Sequence, residues 1–344
     1  MNMMKIASVG AALALAGCVC NDCPKSECAA SAEPVLGNWG LKLPYDSLNA
    51  GHMILSRNAK GEPEALVLWR WASPEKALSV KIDGNKFTVD HPWYFFLEGE
   101  VDGDKLTAKL LNKEMKDNKF TGKTTDGGVV TGWRNKPVCP CASTRDAKFG
   151  EPIDLLKDGL DGWKLMGVDG KDGKNGWSFK DGVLSNTLGF NKDGSWKGGG
   201  LNLMSKRADF FDFNLDYDVR VPTNSNSGVY LRGRYEIQTV DSFDRSKRKV
   251  KTPDCHDMAA YYGRVAPSTA AERKPGEWQH VNVTLFRKHL TVWLNGVKII
   301  DDVPVVGITG GAIDANEDVP GPFYLQGDHS DADYKNMILR PAVN

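Results

Sequence analysis

NSGVYLRGRYEIQTVDSF, residues 226–243, alternates with the period of two that belongs to a β-strand. Val229, Leu231, Tyr235 and Ile237 suit burial, whereas Arg232, Glu236, Gln238 and Asp241 do not. Those four are either the wet outer face of a sheet or the lining of a pocket. Glu236 and Gln238 share parity and so face one side of their strand; Arg232 joins them only if no turn intervenes at Gly233. The same alternation runs through residues 214–222, 278–286, 290–300 and 322–328, and Asn295-Gly296 suits a two-residue turn between strands. No stretch reads as a helix of convincing length. Strands of this kind predict two stacked antiparallel sheets, inner faces packed together and outer faces toward solvent.

Residues 34–137 carry their own set of short β-like runs: 64–71, 77–82, 86–90, 93–101 and 105–111. Asp83-Gly84, Asp102-Gly103 and Asp126-Gly127 punctuate them as hairpin turns. Six to eight strands in about a hundred residues predict a small antiparallel β-barrel or sandwich, all-β like the rest of the chain. GNWGLKLP (37–44) and FTGKTTDGGVVTGW (120–133) resemble the edges of a lipocalin-like barrel. Trp69, Trp71, Trp93, Tyr94, Phe95 and Phe96 read as either a sugar-stacking platform or a core; alternating aromatics in a small barrel favour the core. His52 and His91 stand alone and receive no role.

The 344 residues hold 44 Lys+Arg and 44 Asp+Glu, so the net charge is zero and no long basic run invites nucleic acid. MNMMKIASVGAALALAGC opens with a lysine ahead of a short apolar run, too short to span a bilayer, and reads as a secretory signal over residues 1–17. Leu15-Ala16-Gly17-Cys18 resembles a bacterial lipobox, which implies lipidation of Cys18 and attachment to a membrane through that anchor alone. Val19 rather than Asp after the cysteine implies a periplasmic or cell-surface lipoprotein of the outer membrane. Residues 18–33 form a tether with Cys20, Cys23 and Cys28, and residues 138–148 form a linker with Cys139 and Cys141. In an oxidising compartment these five predict disulfides stapling tether to linker, ahead of a thiolate metal site. Cys255 reads as a free or buried thiol rather than a nucleophile.

Residues 149–344 resemble the 3-keto-disaccharide hydrolase, or 3-keto-glucoside 1,2-lyase and hydratase, family, first catalogued as a domain of unknown function in bacterial lipoproteins. LLKDGLDGWKLMG (155–167), GWSFKDGVLSN (176–186), GGGLNLMSKRADFFDFNLDYDVRV (198–221), the 226–243 signature, AAYYGRVAPS (259–268), KPGEWQHVNVTL (274–285), LTVWLNGVKI (290–299) and GPFYLQGDHSDADYKNMILRP (321–341) carry the resemblance in order and spacing. It implies a concanavalin-A-like jelly roll acting on 3-keto-glycosides, and it is silent about residues 34–137.

A ketone at C3 acidifies the hydrogen at C2. A base can take that proton, the group at C1 is then eliminated, and water can add back for net hydrolysis. Glu236 is the candidate base, Arg232 the candidate partner of the oxyanion, and His329 a proton-transfer group. Gln238, Gln326, Asp241 and Trp196 are candidate sugar contacts; His256 borders them. Glu236, Asp241 and His329 would also suit a divalent cation, calcium or manganese, through oxygen-rich ligation. Lys206, His280, His289, Trp163, Trp177, Trp278 and Trp293 read as solvated or structural. The reaction needs a partner sugar 3-oxidoreductase to make the ketone. The competing function is a carbohydrate-binding lipoprotein without catalysis, because a jelly roll can hold glycans without reacting with them.

Overall fold

The computed structural model describes residues 33–117, 119–168, 172–246 and 251–344; the signal, Cys18, Cys20, Cys23 and Cys28 lie outside the described residues. Nine antiparallel strands build the N-terminal half: β1 (Gly37–Lys42), β2 (Ala50–Arg57), β3 (Pro63–Trp69), β4 (Trp71–Lys76), β5 (Ser79–Asp83), β6 (Lys86–Asp90), β7 (Phe95–Asp102), β8 (Lys105–Lys116) and β9 (Lys119–Arg134). Their order is β4-β3-β2-β1-β9-β8-β7-β6-β5. The last strand thus returns to the first, with Gly40 opposite Trp133. The outer strands meet across the β4–β5 connection, where Ala77 N–H donates to Ala65 O and Leu78 N–H to Asp90 O. An up-and-down sheet that curls back on itself in this way leaves little exposed edge. Trp39, Leu41, Met53, Val67, Val89 and Leu97 fill its interior.

The two-residue turns after Asp83 and Asp102 form as predicted, with Gly84 and Gly103 at φ +59°. Asp126-Gly127 does not turn. It lies inside β9 at a register shift between Leu110 and Leu111, a bulge with Gly128 at φ +99°. The run 64–71 is two strands, broken at Arg70 (φ +62°), so that Trp69 and Trp71 face each other across a tight turn.

Thirteen strands follow: β10 (Ile153–Asp154), β11 (Trp163–Met166), β12 (Trp177–Lys180), β13 (Val183–Asn186), β14 (Asn202–Ser205), β15 (Phe213–Arg220), β16 (Asn226–Leu231), β17 (Tyr235–Val240), β18 (Gln279–Phe286), β19 (His289–Leu294), β20 (Val297–Pro304), β21 (Tyr324–Leu325) and β22 (Ala332–Pro341). One sheet runs β12-β13-β22-β15-β18-β19-β20 with β10 on β22; the other runs β11-β14-β21-β16-β17. Leu215, Tyr217 and Val283 of the first pack with Val229, Leu231 and Ile237 of the second in one core. This is the jelly-roll sandwich, and the chain is all-β. Asn295 (φ +52°) and Gly296 (φ +82°) make the predicted turn between β19 and β20.

The two halves share more than a linker. Ala50 and Leu68 of the barrel belong to the hydrophobic cluster of the sandwich, and Trp133 packs against it. Glycines bring the backbones close: a Cβ on Gly263 would meet Ser73 Oγ at 2.7 Å, and one on Gly310 would strike Ala72. His52, assigned no role from the sequence, is fully buried at this junction, where its Nε2 meets Asn38 Oδ1 and lies 3.7 Å from Glu317 Oε2. The linker cysteines Cys139 and Cys141 place their sulfurs 2.9 Å apart, and Cys139 O accepts from His289 Nε2.

Candidate active site

Strands β16 and β17 pair so that Tyr230 faces Glu236 and Gly228 faces Gln238. Val229, Leu231, Tyr235 and Ile237 point into the core, all at most 1 % exposed. Tyr230, Glu236 and Gln238 take the opposite face, yet they are buried too. Asn226, Tyr230, Glu236 and Gln238 of the 226–243 segment line a pocket. It is a cleft of about 360 Å³, within the usual range for a small-molecule site. Glu236, Gln238, Gln326 and His329 line it together with Tyr230, Tyr324, Asp328, Asn226 and Tyr262. From the barrel come Trp71 and Ala72.

Glu236 is the central titratable group. Its carboxyl lies over Gly228, where any Cβ would collide with Oε1. Burial pushes its pKa up to about 8; the Tyr230 hydroxyl opposes that and the Asp328 charge adds to it. Tyr230 Oη lies 2.9 Å from Glu236 Oε2 and 2.7 Å from Gly310 O. A hydroxyl has one proton and Gly310 O can only accept. With Glu236 protonated, the acid donates to Oη and Oη donates to Gly310. With Glu236 ionised, Oη turns to the carboxylate. One tyrosine thus serves both protonation states.

His329 is half-exposed, and its Nδ1 lies 2.8 Å from Asp328 Oδ1. Because the carboxylate accepts, Nδ1 carries the proton, and this bond raises the imidazole pKa against the opposing effect of burial. Gln238 Oε1 accepts from Thr239 N–H at 3.0 Å, which turns its NH₂ toward ligand as a donor. Asn226 Oδ1 and Gln326 Oε1 are buried without a hydrogen-bond partner, two acceptors suited to hydroxyl donors of a ligand. Tyr230 and Tyr324 stack at 4.3 Å, and Asn202 Nδ2 donates to the Tyr324 hydroxyl at 2.8 Å.

Three predicted site residues lie elsewhere. Arg232 is fully buried at the β16–β17 turn (φ +56°), donates to Glu317 O and Val319 O, and lies over the Phe211 and Tyr235 rings. With Gly233 also at positive φ, the turn breaks the parity that would have aligned Arg232 with Glu236. Asp241 caps a turn by accepting from Asn224 N–H at 2.9 Å and Phe243 N–H at 3.3 Å. Trp196 stacks on Phe190 at 4.0 Å and donates to Asn224 O, and it does not line the cleft. The expected metal set of Glu236, Asp241 and His329 is therefore not brought together, and among the described residues no three His, Cys, Asp or Glu side chains form a metal site. His256 stands behind the cleft, bonded to Ser73 Oγ at 2.7 Å and edge-on to Tyr262. The barrel aromatics split: Phe95 is buried, whereas Trp71, Trp93 and Tyr94 are exposed and overturn a wholly core reading.

Some missed residues were within reach of the sequence. Tyr324 and Asp328 alternate with the predicted Gln326, and Tyr230 mirrors Glu236 about Gly233. Trp71 gave no such signal.

The 3-keto-alpha-glucoside-1,2-lyase-like domain matches residues 152–340, more than half of the chain. The chain belongs to that family. Membership supports a carbohydrate-related activity, and the matched range includes every cleft residue except the two from the barrel. Among solved structures, a candidate glycosyl hydrolase from Parabacteroides distasonis is 26 % identical over 56 % of this chain and 84 % of its own (TM-score 0.41). A second from that organism is 22 % identical over 56 % and 100 % (TM-score 0.40). A galectin-like protein of unknown function from Bacillus subtilis is 14 % identical over 58 % and 99 % (TM-score 0.35). No curated protein matches the chain.

Proposed function

We propose that the sandwich cleaves 3-keto-glycosides, with Glu236 as the base. The observation that carries this is a buried carboxyl whose pKa is raised to about 8, in one cleft with a protonatable His329. Raising its pKa makes a carboxylate a stronger base when ionised, which suits abstraction from carbon next to a ketone. Glu236 takes the C2 proton and the C–H electron pair passes into C2–C3, leaving an oxyanion at C3. The Gln238 NH₂, whose Oε1 is held by Thr239 N–H, takes in this reading the part that Arg232 was expected to play against that charge. Collapse of the enolate restores the C3 ketone, forms the C1–C2 double bond and breaks C1–O. The departing oxygen takes the proton of the His329 imidazolium. Addition of water to C1, with the water's proton passing to the now neutral His329 and a solvent-exchanged proton on Glu236 returning to C2, gives net hydrolysis. Asn226 and Gln326 accept from sugar hydroxyls.

In this reading the chain is a lipoprotein anchored through Cys18 at the outer membrane, and a sugar 3-oxidoreductase supplies its ketone. The donor set does not fit the proposed cation, so no step runs through one.

The test is incubation of the purified chain with 3-keto-trehalose and a 3-keto-glucoside in D₂O. Wild type should release the aglycone and incorporate deuterium at C2. Glu236→Gln should lose at least a thousandfold in kcat for both. Wild-type turnover in the variant removes Glu236 as base; saturable binding by wild type with neither release nor exchange makes the cleft a binding site only.

A further inference from the structure

We propose that the N-terminal barrel is part of the catalytic site: its β3–β4 turn supplies Trp71 as the platform for the aglycone ring, so that this domain sets substrate selection. The choice of substrate rests on the function proposed above; the placement of Trp71 does not.

Trp71 is held for this position. It lies between two non-glycine residues at positive φ, Arg70 (+62°) and Ala72 (+60°), a backbone that costs free energy and persists where surroundings impose it. Gly311 N–H donates to Arg70 O at 2.7 Å, which fastens the turn to the sandwich. Arg70 lies over the Trp71 ring at 5.2 Å and donates to Leu48 O at 3.0 Å, which braces the indole from within the barrel. The chain of contact continues inward: Gly310 O accepts from Tyr230, which bonds Glu236.

Depth assigns the subsite. Glu236, Gln238, Tyr230 and Tyr324 are at most 4 % exposed, so the reacting ring sits on them. Trp71 is 39 % exposed and His329 is half-exposed, so both stand at the mouth. The aglycone leaves past the imidazole that protonates it, and Trp71 is the exposed tryptophan that lines the same cleft. An indole face suits the C–H face of a pyranose or an aryl ring and gains little from a methyl group.

The full chain is assayed as wild type, Trp71→Phe and Trp71→Ala with 3-keto-glucosides carrying methyl, glucosyl and 4-nitrophenyl aglycones. Trp71→Ala should raise KM at least tenfold for the two ring-bearing substrates and less than twofold for the methyl glycoside, with kcat within threefold; Trp71→Phe should restore most of the loss. A uniform change across the three substrates, or none, overturns the proposal. A readout without turnover uses Glu236→Gln protein titrated with the 4-nitrophenyl substrate. Quenching of tryptophan fluorescence should fall sharply when Trp71→Phe is added, and an unchanged quench overturns the platform. Failure of the base assignment would appear instead as wild-type turnover in Glu236→Gln, which leaves the KM comparison readable, and failure of the reaction as no turnover by wild type, which leaves the fluorescence titration readable.

Discussion

Glu236 carries opposite consequences for rate and for stability. Its folded pKa, about 8, lies above the ordinary 4.5, so the folded chain holds a proton that the unfolded chain releases. Stability from this group is fully present below pH 4.5 and is lost as pH rises toward 8, at about 1.4 kcal/mol per unit. Glu236→Gln should therefore leave the melting temperature unchanged at pH 4 and raise it at pH 8.5, as calorimetry at the two pH values would register. Activity runs the other way, because the ionised form is the base. In His329→Gln, whatever activity remains should follow a single rising limb centred near pH 8. A limb near 4.5 would place the base in solvent.

The β16–β17 hairpin shows what one glycine and one turn decide. Gly228→Ala would drive a methyl group against the Glu236 carboxyl. We expect kcat to fall at least tenfold while stability falls by roughly 1–3 kcal/mol, the ordinary cost of overpacking, measured by steady-state kinetics beside urea unfolding. Arg232→Ala should lower stability without touching the cleft. It empties a buried site between Phe211 and Tyr235 and should cost about 3 kcal/mol or more, as large-to-small core changes do, with KM unchanged. A shift in KM at equal stability would return Arg232 to the cleft.

At the scale of the molecule, Glu317 joins the halves. Its carboxylate accepts from Asn38 and Asn135 of the barrel side at 3.0 and 2.8 Å and from Gly307 N–H of the sandwich at 2.9 Å. Burial alone would raise its pKa, but His52, the Lys288 charge and Asn38 outweigh it and lower the value to about 2. Its contribution is present above the unfolded 4.5 and disappears as pH falls through 2, on the order of 3 kcal/mol. Acid unfolding should thus begin at the interface. Glu317→Leu, which leaves buried Asn135, half-buried Asn38 and the Gly307 N–H without their carboxylate acceptor, should cost about 3–5 kcal/mol, seen as a lower urea midpoint at pH 7. An unaltered midpoint would make the junction incidental.

The sequence by itself determined the all-β class, most strands, the family and the pairing of Glu236 with Gln238, because alternation and turn residues are local properties of the backbone. Gln326 and His329 could be placed beside them only through the family likeness. The tertiary structure decided which polar positions meet. Arg232 left the site through a turn conformation, and Asp241 was taken by a backbone N–H two residues along. Trp71 joined the site because two separately patterned halves pack against each other through glycines. A docking geometry between two sheets depends on shape over hundreds of residues, and no periodicity within either half encodes it.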